Sequence, residues 1–264
     1  MNPGRSETWL FDLGNSRAKA ARLEHGEPVD VTAFDWDRPD FAAALHDHLA
    51  RWPSPEHVHV ASVASEARAQ RVREVLAAFA PGRADWPRTP RRAGGVVNRY
   101  AKPERLGIDR FLAMLAVHAS APGACVVIGC GTAITLDCVA ADGEHVEGMI
   151  TLSPAGMLQA LQDATAIADR NPDAFADTPG DDTATALRAG SWASAGALVE
   201  WFVARCRGRH AAGRVGLHGG WAERLAEWLA RDGHPVEVLE HPVLRGLAVW
   251  AAEGNVESPA DDRR

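Results

Sequence analysis

Two stretches repeat one arrangement of small and polar residues. WLFDLGNSRAKAARLEHGEPV spans 9–29, and VVIGCGTAITLDCVAADGEHV spans 126–146. In each, an apolar run ends in a glycine-centred turn, Gly14-Asn15-Ser16 or Gly131-Thr132-Ala133, and a second run leads away. Such a turn presents backbone N–H groups and a short side chain to an anion, and glycine permits close backbone approach and φ > 0. Two of them facing each other across a cleft would grip a polyphosphate from both sides. Asp12 ends the apolar run Trp9-Leu10-Phe11 and suits Mg²⁺, directly or through water. The alternative for Asp12 is a turn-capping carboxylate that bonds backbone N–H groups. Lys19 can reach a phosphate or lie on a solvated strand face. Where the first stretch has Asp12 the second has Gly129.

These residues need strands to carry them. Alternation and turn residues predict strands at 8–14, 17–24, 28–36 and 57–63, and helical spacing of Phe41, Leu45 and Leu49 predicts a helix over 38–52. A second helix is expected over 65–80 with Ser65 as N-cap, followed by a less regular basic, Pro/Gly-rich segment at 81–107. Ile108, Leu112, Leu115 and Ala119 share a helix face over 108–119. The pattern then restarts. Strands flank Gly131, a third covers EHVEGMITL, and helices are expected at 155–168 and 181–208. A strand at 214–220, a helix from Trp221, the strand PVEVLE and a final helix PVLRGLAVWAAEG complete it. The matched order argues for an internal duplication. The expected fold is α/β, with two ribonuclease-H-like domains of the actin-like ATPase (sugar kinase) superfold. The N-terminal domain is placed at 1–118, the C-terminal one at 119–254, and a disordered polar tail at 255–264.

Bulk properties exclude several functions. The 264 residues carry a net charge of −7 with Lys and Arg scattered, which argues against a nucleic-acid or anionic-membrane surface. No apolar run has the roughly 18 residues a spanning helix needs. MNPGRSETW has no signal-peptide h-region, so a cytoplasmic location is expected. Cys125, Cys130, Cys138 and Cys206 fit no common zinc spacing and read as buried thiols.

The segments DLGNSRAK (12–19), LGIDRF (106–111), GCGTAITLD (129–137) and DDTATALRAG (181–190) resemble, in order and spacing, the motif series of type III pantothenate kinases. The resemblance covers about 8–254. It implies ATP-dependent phosphorylation of pantothenate's primary hydroxyl, the first step toward coenzyme A, by a homodimer whose sites are completed across the interface. It implies that Asp12, Leu13, Gly14, Asn15, Ser16, Arg17, Ala18, Lys19 and Thr132 hold ATP, with Mg²⁺ at Asp12. Tyr100, Gly107, Ile108, Asp109 and Arg110 would line the pantothenate pocket, with Asp109 as base, and Thr183 would serve the neighbouring subunit's substrate site. A helix N-terminus favours an ionised Asp109, which can accept a hydrogen bond from an attacking alcohol. The alternative is a first-turn charge stabilising its own helix by under about 1 kcal/mol. Arg110 can face a carboxylate or form a surface ion pair, and Tyr100, the only tyrosine, can close the pocket or sit in a core. Rival readings are a kinase of another small alcohol or sugar, and an inactive nucleotide-binding regulator.

Three positions depart from the family pattern. Gly129 stands where many members have an Asp that binds a monovalent cation, so K⁺ or NH₄⁺ use through that site is not expected. Asp182 replaces Asn before Thr183, losing an amide donor but keeping a helix cap. Leu152-Ser153 replaces Pro-Gly, which can loosen the turn into the next helix. Gly219-Gly220 resembles the superfold's adenosine-contacting turn or is a plain strand-to-helix turn. The pairs His46/His48 and His57/His59 lack a third metal ligand. Trp192, Trp201, Trp228 and Trp250 are expected in core or interface packing. The basic run 88–95 reads as a solvated loop or an attractor of anionic ATP.

Overall fold

A computed structural model describes residues 7–166, 175, 178–230 and 235–253. The expected tail at 255–264 and the end of the helix expected over 155–168 lie outside them. The chain forms two compact units, 1–120 with 242–264, and 121–241.

In the first unit, β1 (Thr8–Leu13), β2 (Arg17–Glu24) and β3 (Glu27–Asp35) form an antiparallel meander, and β4 (His57–Ser62) and β5 (Ala84–Asp85) add in parallel. The sheet order is β3-β2-β1-β4-β5. Helices α1 (Phe41–Leu49) and α2 (Glu66–Leu76) cover one face, where Trp9, Phe11 and Leu13 meet Phe41, Leu45, Leu49 and Val72. Helices α3 (Ile108–Ser120) and α7 (Pro242–Ala252) pack together, and α7 also meets β1 and β4. Helices on both faces explain why β1 is buried at every residue rather than at alternate ones. Each fully buried large side chain contributes about 1.5–3 kcal/mol relative to exposure. At the α3–α7 crossing a Cβ on Gly246 would stand 2.0 Å from the Leu112 carbonyl oxygen, so only glycine admits this approach. The sequence reading placed 242–254 in the C-terminal half. The apolar face of α7 (Val243, Leu244, Leu247) joins the first unit instead.

In the second unit, β8 (Cys125–Cys130), β9 (Ala133–Val139) and β10 (Glu144–Leu152) repeat the meander, and β11 (Arg214–His218) and β12 (Glu237–Val238) add in parallel. The order β10-β9-β8-β11-β12 reproduces that of β3-β2-β1-β4-β5. Helix α4 (Pro154–Ala164) precedes the long α5 (Thr183–His210), and α6 (Ala222–Ala230) follows β11. Val126, Ile128, Cys130, Leu136 and Cys138 meet Val199, Phe202, Cys206 and Leu225 in one core. All four cysteines are free and buried, and burial raises the Cys125 and Cys130 thiols to about 11 and about 12. Trp192 and Trp250 are buried, but Trp201, expected in packing, is 52 % exposed.

The segment 81–107, read as irregular, holds β5, the small hairpin β6 (Arg92–Ala93) and β7 (Val96–Asn98), and a 3₁₀ turn at Pro103–Arg105. Among the described residues no helix is long and apolar enough to cross a membrane.

Candidate active site

The first hairpin brings Asp12 and Lys19 together. They are register partners on β1 and β2, and Lys19 Nζ lies 3.5 Å from Asp12 Oδ2. Asp12 is only 9 % exposed. Lys19 is half-buried and paired with it rather than lying on a fully solvated strand face. Gly14 N donates to Arg17 O at 3.1 Å, and the Gly14 carbonyl accepts from Trp36 Nε1 at 2.9 Å. Arg68 Nη1 donates to Asn15 O, and Arg17 pairs with Asp35 at 3.7 Å. Asn15, Ser16 and Arg17 are exposed at the tip. Leu13 and Ala18 point into the core, so only their backbones remain for such contact.

The second hairpin has the same turn signature, with Gly131 N donating to Ala133 O at 3.0 Å and Thr132 exposed. Neither Gly14 nor Gly131 adopts a positive φ, so the left-handed freedom expected of them is not used; it is used at Gly219, φ 102°. There a Cβ would stand 2.5 Å from Cys130 O, and the adjoining turn is closed by Trp221 N donating to Cys130 O at 3.1 Å. At Gly129 a Cβ would lie 2.5 Å from Thr135 Oγ1 and 3.3 Å from His218 Nε2. An aspartate there would have to displace the Thr135 hydroxyl and crowd the His218 ring.

The third group surrounds the start of α3. Asp109 lies in its first turn, where the helix dipole favours a carboxylate. Asp109 Oδ1 accepts from Arg110 N at 2.8 Å. Gly107 permits this curl, because a Cβ there would stand 2.5 Å from that same oxygen. Ile108 is buried and contributes backbone only. Arg110 is 7 % exposed, which removes the surface ion-pair alternative, and its Nη1 donates to Tyr100 Oη at 3.3 Å. Tyr100 is half-buried.

Sequence reasoning missed what orders this cluster. Asn98 is fully buried. Its Oδ1 accepts from Tyr100 N at 3.0 Å and its Nδ2 donates to Pro103 O at 3.0 Å. Arg91, from the basic run, donates to the carbonyls of Asn98 and Tyr100 at 2.8 and 2.7 Å. A polar residue two positions before the only tyrosine was the available signal.

Two departures resolve structurally. Ser153 caps α4, its Oγ accepting from Gly156 N at 3.1 Å with Pro154 in the first turn, so the turn is held rather than loosened. Asp182 caps α5 through Thr185 N at 3.0 Å, and hydrogen bonds from Thr185 lower its carboxyl below the ordinary range. Thr183, the first residue of α5, is exposed. No cluster of three or more metal-binding side chains occurs among the described residues. Asp12 nevertheless fits a magnesium ion whose other ligands come from phosphates and water, since one hard carboxylate then suffices.

The family model for type III pantothenate kinase matches residues 9–205. A type III pantothenate kinase of Xylella fastidiosa is 38 % identical over 252 residues, covering 92 % of this chain and 97 % of the relative. Among solved structures, a conserved protein of Campylobacter jejuni described as a Baf family transcriptional activator has TM-score 0.60 at 16 % identity, covering 94 % of this chain and 100 % of its own. A polyphosphate/ATP-glucomannokinase of Arthrobacter has TM-score 0.52 at 15 % identity, covering 95 % and 100 %. At such identities the structures speak for the sugar-kinase fold alone. By the family match and the curated relative, the chain belongs to the type III pantothenate kinase family.

Proposed function

We infer that this chain transfers the γ-phosphoryl group of ATP to the primary hydroxyl of pantothenate, giving 4′-phosphopantothenate for coenzyme A synthesis in the cytoplasm. The observation that carries the reading is the cluster at the start of α3: a half-buried carboxylate at a helix N-terminus beside a buried arginine held by the only tyrosine. Asp109 accepts the hydroxyl proton as that oxygen attacks, and Arg110 with Tyr100 binds the carboxylate end of pantothenate. Phosphoryl transfer has a loose transition state, so positioning and charge neutralisation outweigh base strength. Each glycine turn supplies phosphate contacts, the first through 14–17 and Lys19, the second through Thr132. Asp12 would hold Mg²⁺, which supplies charge neutralisation on the phosphates. Gly129 offers no carboxylate, so no K⁺ or NH₄⁺ requirement arises there.

The working unit is proposed to be a homodimer, with Thr183 serving the neighbour's substrate site. An apolar face supports this. Met149, Ile150, Leu152 and Leu161 are exposed, and a cavity of about 480 Å³ at α4 and α5 is lined by Leu152, Met157, Leu161 and Leu187.

A coupled assay of ATP consumption with a panel of small alcohols and sugars tests the reading. ADP formation that depends on pantothenate and falls about 100-fold or more in Asp109→Asn is expected. Preference for a different acceptor would replace the substrate, and no ATP turnover with any acceptor would overturn the kinase assignment.

A further inference from the structure

We propose that His218 is a nucleotide-binding residue, donating from its imidazole to a phosphate oxygen at the second glycine turn. The argument starts from the duplication. The order of strands is the same in both units, so β1 corresponds to β8 and β4 to β11. Aligning Gly14 with Gly131 aligns Asp12 with Gly129. Asp12 has Ala61 as its register partner on β4, and Gly129 has His218 as its partner on β11.

The two mouths are thus built in complementary ways. The first places the Asp12 carboxylate on the central strand, with Lys19 on β2 to one side and only the methyl group of Ala61 on β4 to the other. The second leaves the central strand bare and places an imidazole beside it. The bare position leaves the ring room, since a Cβ at Gly129 would crowd it at 3.3 Å from His218 Nε2 and 3.4 Å from Cε1. Thr135, the partner of Gly129 on β9, puts its Oγ1 into the same space. One row of three strands therefore carries His218, Gly129 and Thr135 abreast, two residues short of Gly131. His218 is half-exposed, so a ligand at the turn can reach it. A carboxylate there would repel a polyphosphate unless a cation came between them. An imidazole N–H donates to phosphate directly, in the Nε2–H tautomer or as imidazolium.

This rests on reading 131–133 as a phosphate-holding turn, and the experiment separates the two. Calorimetry measures binding of a non-hydrolysable ATP analogue and of adenosine to the wild-type chain, His218→Leu and His218→Gln. Leucine keeps the bulk and loses the donor; glutamine keeps a donor. The analogue should bind about tenfold more weakly to His218→Leu and recover most of its affinity in His218→Gln. Adenosine should bind all three alike, which a merely structural role would not allow. Equal analogue affinity in wild type and His218→Leu, or an equal loss for adenosine, would overturn the proposal. A wild-type chain that binds no analogue overturns the phosphate-turn reading and this proposal with it. If His218→Leu does not fold, ¹⁵N-histidine spectra of the wild type decide. The analogue must shift the His218 Nε2 resonance, assigned by its loss in His218→Gln, and adenosine must not. An unmoved resonance refutes the contact.

Discussion

Asp12 and Lys19 face each other across the first hairpin, with Lys19 Nζ 3.5 Å from Asp12 Oδ2 and the lysine side chain mostly covered. The ammonium offsets a carboxylate that would otherwise be poorly solvated at the end of a fully buried strand. On the proposed reading, Lys19 would turn to a phosphate oxygen and leave the Asp12 carboxylate for Mg²⁺, which would supply charge neutralisation. Asp12→Asn should therefore cut kcat about 100-fold and raise the Mg²⁺ concentration needed for half-maximal rate. Lys19→Met should instead raise KM for ATP about tenfold with a smaller effect on kcat. Initial rates over a grid of ATP and Mg²⁺ concentrations separate the two. An Asp12→Asn enzyme with wild-type rate and Mg²⁺ dependence would remove the metal from this site.

The hairpins, the duplication and the start of α3 were legible because each rests on local pattern: apolar runs, glycine turns and a Gly-x-Asp-Arg at the head of a 3.6-residue periodicity. What was illegible depends on partners distant in sequence. β5, β6 and β7 are two or three residues long and exist only through their neighbours, so no period reveals them. The placement of α7 with the first unit follows from its crossing with α3 at Gly246, and no local feature of 242–252 announces it. His218 reads in isolation as one of 11 histidines. Its meaning comes from β11 pairing with β8, which aligns it with Gly129 across a long helical excursion.

The same row of residues makes the cation response testable. Because Thr135 Oγ1 and the His218 ring take the space beside Gly129, rates in Na⁺, K⁺ and NH₄⁺ chloride at equal ionic strength should agree within about twofold. Gly129→Asp should not create K⁺ activation. Its side chain would press on Thr135, and overpacking of this kind costs about 1–3 kcal/mol, visible as a lower thermal midpoint. A strong K⁺ requirement in the wild-type chain would show that cation binding does not need this carboxylate.

The apolar face of the second unit leads to a prediction about assembly. Ile150 is 61 % exposed at the end of β10, and Leu152 and Leu161 continue the patch toward the cavity at α4 and α5. A charge placed there should be tolerated by the fold, since the positions face solvent within one chain, but not by an interface that buries them. Light scattering coupled to size exclusion should find a dimer for the wild type and a monomer for Ile150→Asp with Leu161→Glu, with unchanged circular dichroism. If Thr183 acts across the interface, the monomer should also lose pantothenate turnover. A wild-type monomer, or a double variant that remains dimeric, would remove this face from the assembly.

Acid sensitivity should concentrate where β10 meets the end of α5. Glu147 accepts from Arg205 Nε, and His210 Nε2 lies 3.2 Å from its other oxygen. Burial alone would raise this carboxyl, but the hydrogen bonds from Arg205 and His210 outweigh it and hold the group below the usual 4.5. Its folded pKa is therefore lower than its unfolded one. The stabilisation is fully present above the unfolded value and is lost as pH falls through the folded value, because the unfolded chain then binds the proton more readily. The window lies below about pH 4.5. Glu147→Gln should cost about 1–2 kcal/mol at pH 7, and its stability should fall less steeply than that of the wild type below that pH. Urea unfolding at a series of pH values from 7 downward measures both. Parallel acid limbs for the two proteins would show that Glu147 keeps its ordinary affinity for protons in the folded chain, and the network with Arg205 and His210 would then contribute nothing to the acid response.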